Sequence, residues 1–220
     1  MSPEAKALRA HVLLRSTYAE DRLESSIKRG IKQYALVGAG FDTFAFRQPH
    51  WAASLKIIEV DHPDTQRLKQ SMISDANINI PENVVFAGID FEQESLEEGL
   101  DGIGVRNDKP TFFSWLGVTM YLTQAAIDST LRYMTSFPSG SEAVITCLQP
   151  SVSHELAQLV SEAGEPFVSY FMPDDFKEKL LTKGFKEVHP LTPELSAHFF
   201  SKNETSLSKP EQVSIVSAVV

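Results

Sequence analysis

Short apolar runs alternate with longer amphipathic stretches along most of the chain. Residues 33–38 (QYALVG), 55–61 (LKIIEVD), 83–90 (NVVFAGID), 109–118 (KPTFFSWLGV) and 141–150 (SEAVITCLQP) read as strands, and 184–191 (GFKEVHPL) and 213–220 (VSIVSAVV) as two more. Helical spacing predicts helices over 3–29, 63–74, 123–136, 151–163 and 173–183, with at most a short one over 194–200. In the first, Ala7, Leu8, His11, Leu14, Tyr18 and Ile27 mark one face and Gly30 closes it; Pro63 opens the second. Strands separated by helices of this length pair in parallel through right-handed crossovers, and near-continuous apolar runs suit strands covered on both faces. The last two strands are joined by a polar segment with little helix, which predicts an antiparallel pair at one edge. The expected architecture is α/β: a doubly wound, mostly parallel seven-stranded sheet with an antiparallel edge strand, Rossmann-like. No repeat or low-complexity linker interrupts it, so 1–220 reads as a single domain fronted by a helical segment over 1–30.

Composition narrows the setting. The apolar fraction of 42% and charged fraction of 22% are ordinary for a globular chain. The formal net charge of -9 opposes a broad nucleic-acid surface and an anionic membrane surface, so neither is expected as a partner. The one cysteine, Cys147, allows no intrachain disulfide and fits a reducing compartment. It lies in the apolar run AVITCL and reads as a small core residue. The N-terminal stretch is charged throughout and lacks a signal-peptide core, and no run is apolar for long enough to span a bilayer. The expected location is cytoplasmic.

The chemistry gathers where strands end. In a doubly wound sheet, ligands bind beyond the carboxyl ends of the strands at the switch point. The first strand runs into Gly38, Ala39 and Gly40, a turn that lets the backbone approach a ligand closely. The segment from Thr43 is expected to aim its amides at that ligand. A dinucleotide fingerprint requires a third glycine where Thr43 stands, which disfavours a pyrophosphate. Asp42 would repel a pyrophosphate and attract a cationic amine or sulfonium. Glu59 and Asp61 end the second strand on one face, and either is placed to hold both ribose hydroxyls. Asp90 after the third strand is placed to accept from an adenine amine, with Phe91 against the ring. Acids after strands two and three together favour S-adenosylmethionine over NAD. Each acid also has a bland reading: Asp42 and Asp61 as helix caps, Asp90 as a loop residue.

No clear general base stands out. His62 reads as packing or capping at a helix start, and His154, His189 and His198 are scattered without metal-ligand spacing, so no metal is expected. Tyr121, in TMYLT, is a candidate for the substrate side or for a helix entry. Phe113 and Trp115 read as core, and Phe171 and Met172 as either substrate-facing or satellite core.

The stretches RSTYAEDRLESSIKRGIKQYALVGAGFDTFAFR, IIEVDHPDTQRLK, FAGIDFEQESLEEGL and PTFFSWLGVTMYLTQAAIDSTL resemble the leucine carboxyl methyltransferase family, in its bacterial branch of S-adenosylmethionine-dependent methyltransferases. The likeness covers about residues 12–137 and continues more loosely to the end. It implies a class I methyltransferase fold with S-adenosyl-L-methionine as cofactor. It also implies that Arg15 pairs with the methionine carboxylate, Gly38 is the loop glycine, Asp61 rather than Glu59 is the ribose acid, and Asp90 and Phe91 are the adenine pair. Carboxyl-methylating members carry an acid after strand four, near the amino acid part of the cofactor. Here that position is Leu116, so methylation of a protein C-terminal leucine does not carry over. The chain also starts late relative to the family, which predicts a reduced lid. The reading is a methyltransferase acting on a carboxyl or hydroxyl of a small-molecule acceptor. Its alternatives are a cofactor-binding protein without turnover and, behind it, an NAD-dependent oxidoreductase.

Overall fold

The computed structural model describes residues 3–162, 164–201 and 212–220. Among them the strands are β1 (Gln33–Val37), β2 (Lys56–Asp61), β3 (Val84–Gly88), β4 (Thr111–Trp115), β5 (Glu142–Leu148), β6 (Glu187–Pro190) and β7 (Val213–Val219). They form one sheet in the order β3-β2-β1-β4-β5-β7-β6. The β1/β2, β2/β3, β1/β4 and β4/β5 pairs are parallel. β7 runs antiparallel to both β5 and β6, so the reversed strand is inserted beside the outermost one. The order reverses between β1 and β4: the chain winds outward through β2 and β3 on one side, then returns to start β4 on the other. That is the switch point at which such sheets bind ligands.

The helices are α1 (Pro3–Lys28), α2 (Pro63–Asp75), α3 (Leu96–Leu100), α4 (Gln124–Thr135), α5 (His154–Glu162), α6 (Pro173–Lys183) and α7 (Pro193–Ser201). None of the described helices is long and apolar enough to cross a membrane. Alternation along the central strands splits the core in two. Ala35, Val37, Ile58, Val60, Phe113, Trp115 and Ile145 pack under α3, α4 and α6. Tyr34, Leu36, Ile57, Phe112 and Val144 pack under α1 and the turns after β1. Cys147 is buried in the first cluster, and burial pushes its thiol up to about 12, the pKa of an inert core thiol.

Two expectations shift. The buried stripe of α1 is Ala10, His11, Leu14, Tyr18, Ala19, Leu23 and Ser26; Leu8 is 53% exposed, and the Ala7 side chain lies outside the described residues. The segment after Thr43 forms a short 3-10 turn, Phe44–Phe46, whose Phe44 and Ala45 sink into the second core. Its pattern is too short to register as a helix. α3 was not anticipated either, although Ser95 and Glu98 form a capping box at its start.

Candidate active site

A cavity of about 740 Å³ opens over the carboxyl ends of β1, β2 and β4. Its walls include Arg15, Gly38, Ala39, Gly40, Asp42, Asp61, Asp90, Phe91, Leu116 and Tyr121. Segments far apart in sequence thus meet as the strand ends require.

The floor is the β1 turn. Gly38 has φ +73, and a Cβ there would run into the Val118 side chain; only glycine lets the two loops close on each other. The turn is fastened to β2: Gly38 N and Ala39 N donate to Val60 O at 2.8 and 2.9 Å. Asp61 adds a clamp. One carboxylate oxygen accepts from Gly40 N at 2.5 Å and the other from His62 N at 2.7 Å. Asp42 bends back to accept from Phe44 N at 2.6 Å, an Asx turn that also faces the cavity. That bond takes the Phe44 amide, and neither Thr43 nor Phe44 lines the cavity; the expected row of ligand-facing amides does not form there.

Glu59 does not reach the cavity. It shares a strand face with Asp61, but it is 1% exposed and its carboxylate binds Lys69 Nζ of α2 at 2.6 Å. Burial pushes its pKa up, against the pull of Lys69. Two residues of strand rise separate an open strand end from a sealed interior, so the two acids have unlike environments.

Arg15 reaches in from α1 and stops against Gly117. A Cβ on Gly117, whose φ is +77, would collide with a guanidinium nitrogen and lie 2.9 Å from Cζ. Among the described residues Arg15 has neither a hydrogen-bond nor an ion-pair partner, and it is half-buried. Burial lowers its pKa, with Tyr121 and Asp42 pulling the other way. A half-buried cation without a partner in the fold suits a carboxylate or another anion.

Asp90 Oδ1 accepts from Glu92 N at 3.0 Å, and its other oxygen lies 3.7 Å from His62 Nε2. Phe91 packs against the first core beside it. His62 caps α2, its Nδ1 accepting from Asp64 N at 3.3 Å. The far wall comes from the segment after α5: Gly164, Glu165, Pro166 and Val168. It is strapped to the turn bearing Tyr121, with Val168 N and Ser169 N donating to Met120 O at 2.7 and 3.1 Å and Ser169 Oγ to Leu122 O at 2.6 Å. Phe167 lies on the Tyr121 ring, centroids 5.6 Å apart. This wall was not legible in the sequence. Phe171, four residues further on, packs on Phe176 in the core instead, and Met172 faces outward ahead of α6.

A mostly parallel sheet of this order, with the reversed strand beside its edge, is the fold of class I S-adenosylmethionine-dependent methyltransferases. The cavity's residues fit that cofactor: a cation for its carboxylate, and acids for its amine, sulfonium, ribose and adenine. The chain belongs to the leucine carboxyl methyltransferase family, whose sequence model it matches over residues 1–135. It is 35% identical over 219 residues to YktD of Bacillus subtilis, provisionally named an S-adenosyl-L-methionine-dependent methyltransferase; the match covers 94% of this chain and 71% of YktD. A Parafrankia protein given the same provisional function is 28% identical over 131 residues, which is 60% of this chain but 42% of that one. Among solved structures, a methyltransferase-like protein from Thermobifida fusca superposes with a TM-score of 0.66 at 13% identity, covering 97% of this chain and 82% of that one. Human N-acetylserotonin methyltransferase, solved with its S-adenosylmethionine, superposes with a TM-score of 0.55 at 13% identity, over 98% and 50%.

Proposed function

We propose that this chain binds S-adenosylmethionine in the cavity and transfers its methyl group to oxygen of a small-molecule acceptor. The observation that carries the reading is the unpaired, half-buried Arg15 guanidinium facing Asp42, Asp61 and Asp90 across one cavity. Arg15 holds the methionine carboxylate as a planar fork. The Gly38–Gly40 turn lets the backbone come close, and Leu116 borders the amino acid part. Asp42 draws the amine and sulfonium, Asp61 takes the ribose hydroxyls, and Asp90 accepts from the adenine amine with Phe91 against the ring. The cofactor, when bound, supplies a methyl carbon already activated by a positive sulfur. The protein's work is to hold an oxygen in line with it and to keep water out. Tyr121 stands on the acceptor side of that line.

Thermal unfolding with S-adenosylhomocysteine tests this, with NADH as control. A ligand at about 100 times its dissociation constant adds ~2.7 kcal/mol, which raises Tm by roughly 5–11 °C in a chain of this size. S-adenosylhomocysteine is expected to stabilise the wild type and NADH to leave it unchanged. Stabilisation by NADH alone would point to the oxidoreductase reading.

A further inference from the structure

The charges lining the cavity are unequal. Among the described lining residues Arg15 is the only guanidinium or ammonium, against the carboxylates of Asp42, Asp61, Asp90 and Glu165. Three of those carboxylates stand at strand ends, on the cofactor's side. Glu165 comes from the opposite wall, where its amide donates to Val160 O at 3.1 Å at the end of α5. The strapping of residues 168 and 169 onto Met120 and Leu122 sets that wall beside the Tyr121 turn. The Tyr121 phenol is pushed up from its ordinary value first by burial and then by the Glu165 carboxylate, while Arg15 acts in the opposite sense. The other residues there, Leu122, Pro166 and Val168, are apolar.

An acceptor bearing a carboxylate would meet Glu165 with no side-chain cation left to pair with, since Arg15 would be taken up by the cofactor's own carboxylate. Like charges brought together at that wall repel. An uncharged hydroxyl does the reverse: it donates its proton to the same carboxylate. We propose that the acceptor is a neutral, largely apolar hydroxyl compound, a phenol or alcohol, and that Glu165 accepts its proton. This rests on the methyltransferase reading above and departs from the carboxyl acceptor in the family's name. In the step, the hydroxyl O–H bond breaks and its proton passes to Glu165. A lone pair on that oxygen forms the bond to the methyl carbon. The carbon–sulfur bond breaks with its pair on sulfur, turning a sulfonium into a neutral thioether, and Glu165 returns the proton to solvent. Tyr121 is a positioning residue beside it.

The test is formation of S-adenosylhomocysteine by the purified chain with S-adenosylmethionine and a panel of phenols and alcohols, each matched to a carboxylic acid of the same skeleton. Turnover is expected on hydroxyl members and not on their acids. Glu165→Gln, isosteric and at an exposed position, is expected to lower kcat by about 100-fold with KM little changed. Its Tm rise with S-adenosylhomocysteine should match the wild type's, which shows an intact cofactor site. Turnover on acids, no turnover on any hydroxyl member, or a Glu165→Gln kcat equal to wild type overturns the proposal. If S-adenosylhomocysteine fails to stabilise the wild type, it is the cofactor reading that falls.

Discussion

Asp61 has two jobs that compete for one side chain. It is the proposed ribose acid, yet both its oxygens already accept backbone amides, from Gly40 and His62. Hydrogen bonds to a charged group contribute ~1.5–3 kcal/mol each, so Asp61→Ala, which loses two at a half-buried position, is expected to destabilise the ligand-free protein by about 3 kcal/mol as well as remove its response to S-adenosylhomocysteine. Urea titrations without ligand, run beside the ligand titrations, separate the two effects. Asp61→Asn keeps an acceptor oxygen and is expected to lose less stability than ligand response. Gly117 offers a cleaner probe of Arg15. Gly117→Ala puts a methyl group where the guanidinium lies and strains a φ of +77. Its affinity for S-adenosylhomocysteine, measured by calorimetry, is expected to fall at least about tenfold, or ~1.4 kcal/mol. An unchanged affinity would mean that Arg15 does not hold the cofactor.

At the scale of elements, one carboxylate ties α1 to the sheet. Glu142, at the start of β5, is 0% exposed and accepts from Arg22 Nε at 2.6 Å, Ser26 Oγ at 2.8 Å and Ser217 Oγ at 2.6 Å, and from Arg29 Nη2. A helix, β5 and β7 therefore meet at one buried anion. Leaving the arginines without it should cost more than any single surface pair: Glu142→Ala is expected to lose ~3–5 kcal/mol at pH 7 in a denaturant titration. Arg15 rides on the same helix, so this anchor also sets the pose of the proposed anion site. At the other extreme, α5 buries no side chain. It is held by its ends, and the wall carrying Glu165 follows it. The proposed cofactor side thus rests on a buried anchor, whereas the proposed acceptor wall follows a helix that buries no side chain and is tied down only beyond it, at residues 168 and 169.

For the whole molecule, two buried groups on α1 and β5 make stability fall with acid. His11 is 4% exposed with both ring nitrogens unpartnered, and burial, then Arg15, pushes it down to about 3. As pH falls below 6.5 the unfolded chain takes up this proton and the fold does not, so stability should decline from pH 6.5 toward 3. For Glu142, burial works upward but is outweighed by hydrogen bonds from Arg22, Ser217 and Ser26, which hold it below its ordinary value of 4.5. Its contribution is present above 4.5 and lost as pH falls below. Calorimetry across pH is expected to show a gradual fall from 6.5 that steepens below 4.5, with His11→Leu flattening the upper part. The strand and helix order was legible from hydrophobic periodicity, because a strand buried on both faces and a helix buried on one leave different spacings in the chain. The glycine turn and the acids at strand ends were legible too, since chain order in a doubly wound sheet brings those ends together. Which of Glu59 and Asp61 faces the cavity was not legible from the residues alone, although the family resemblance pointed to Asp61: both sit on one strand face, and only the packing of Lys69 seals one of them. Nor were the Arg15–Gly117 contact, the Glu142 anchor or the Glu165 wall. Each joins residues distant in the chain through side-chain packing, and that geometry exists only once the sheet has assembled.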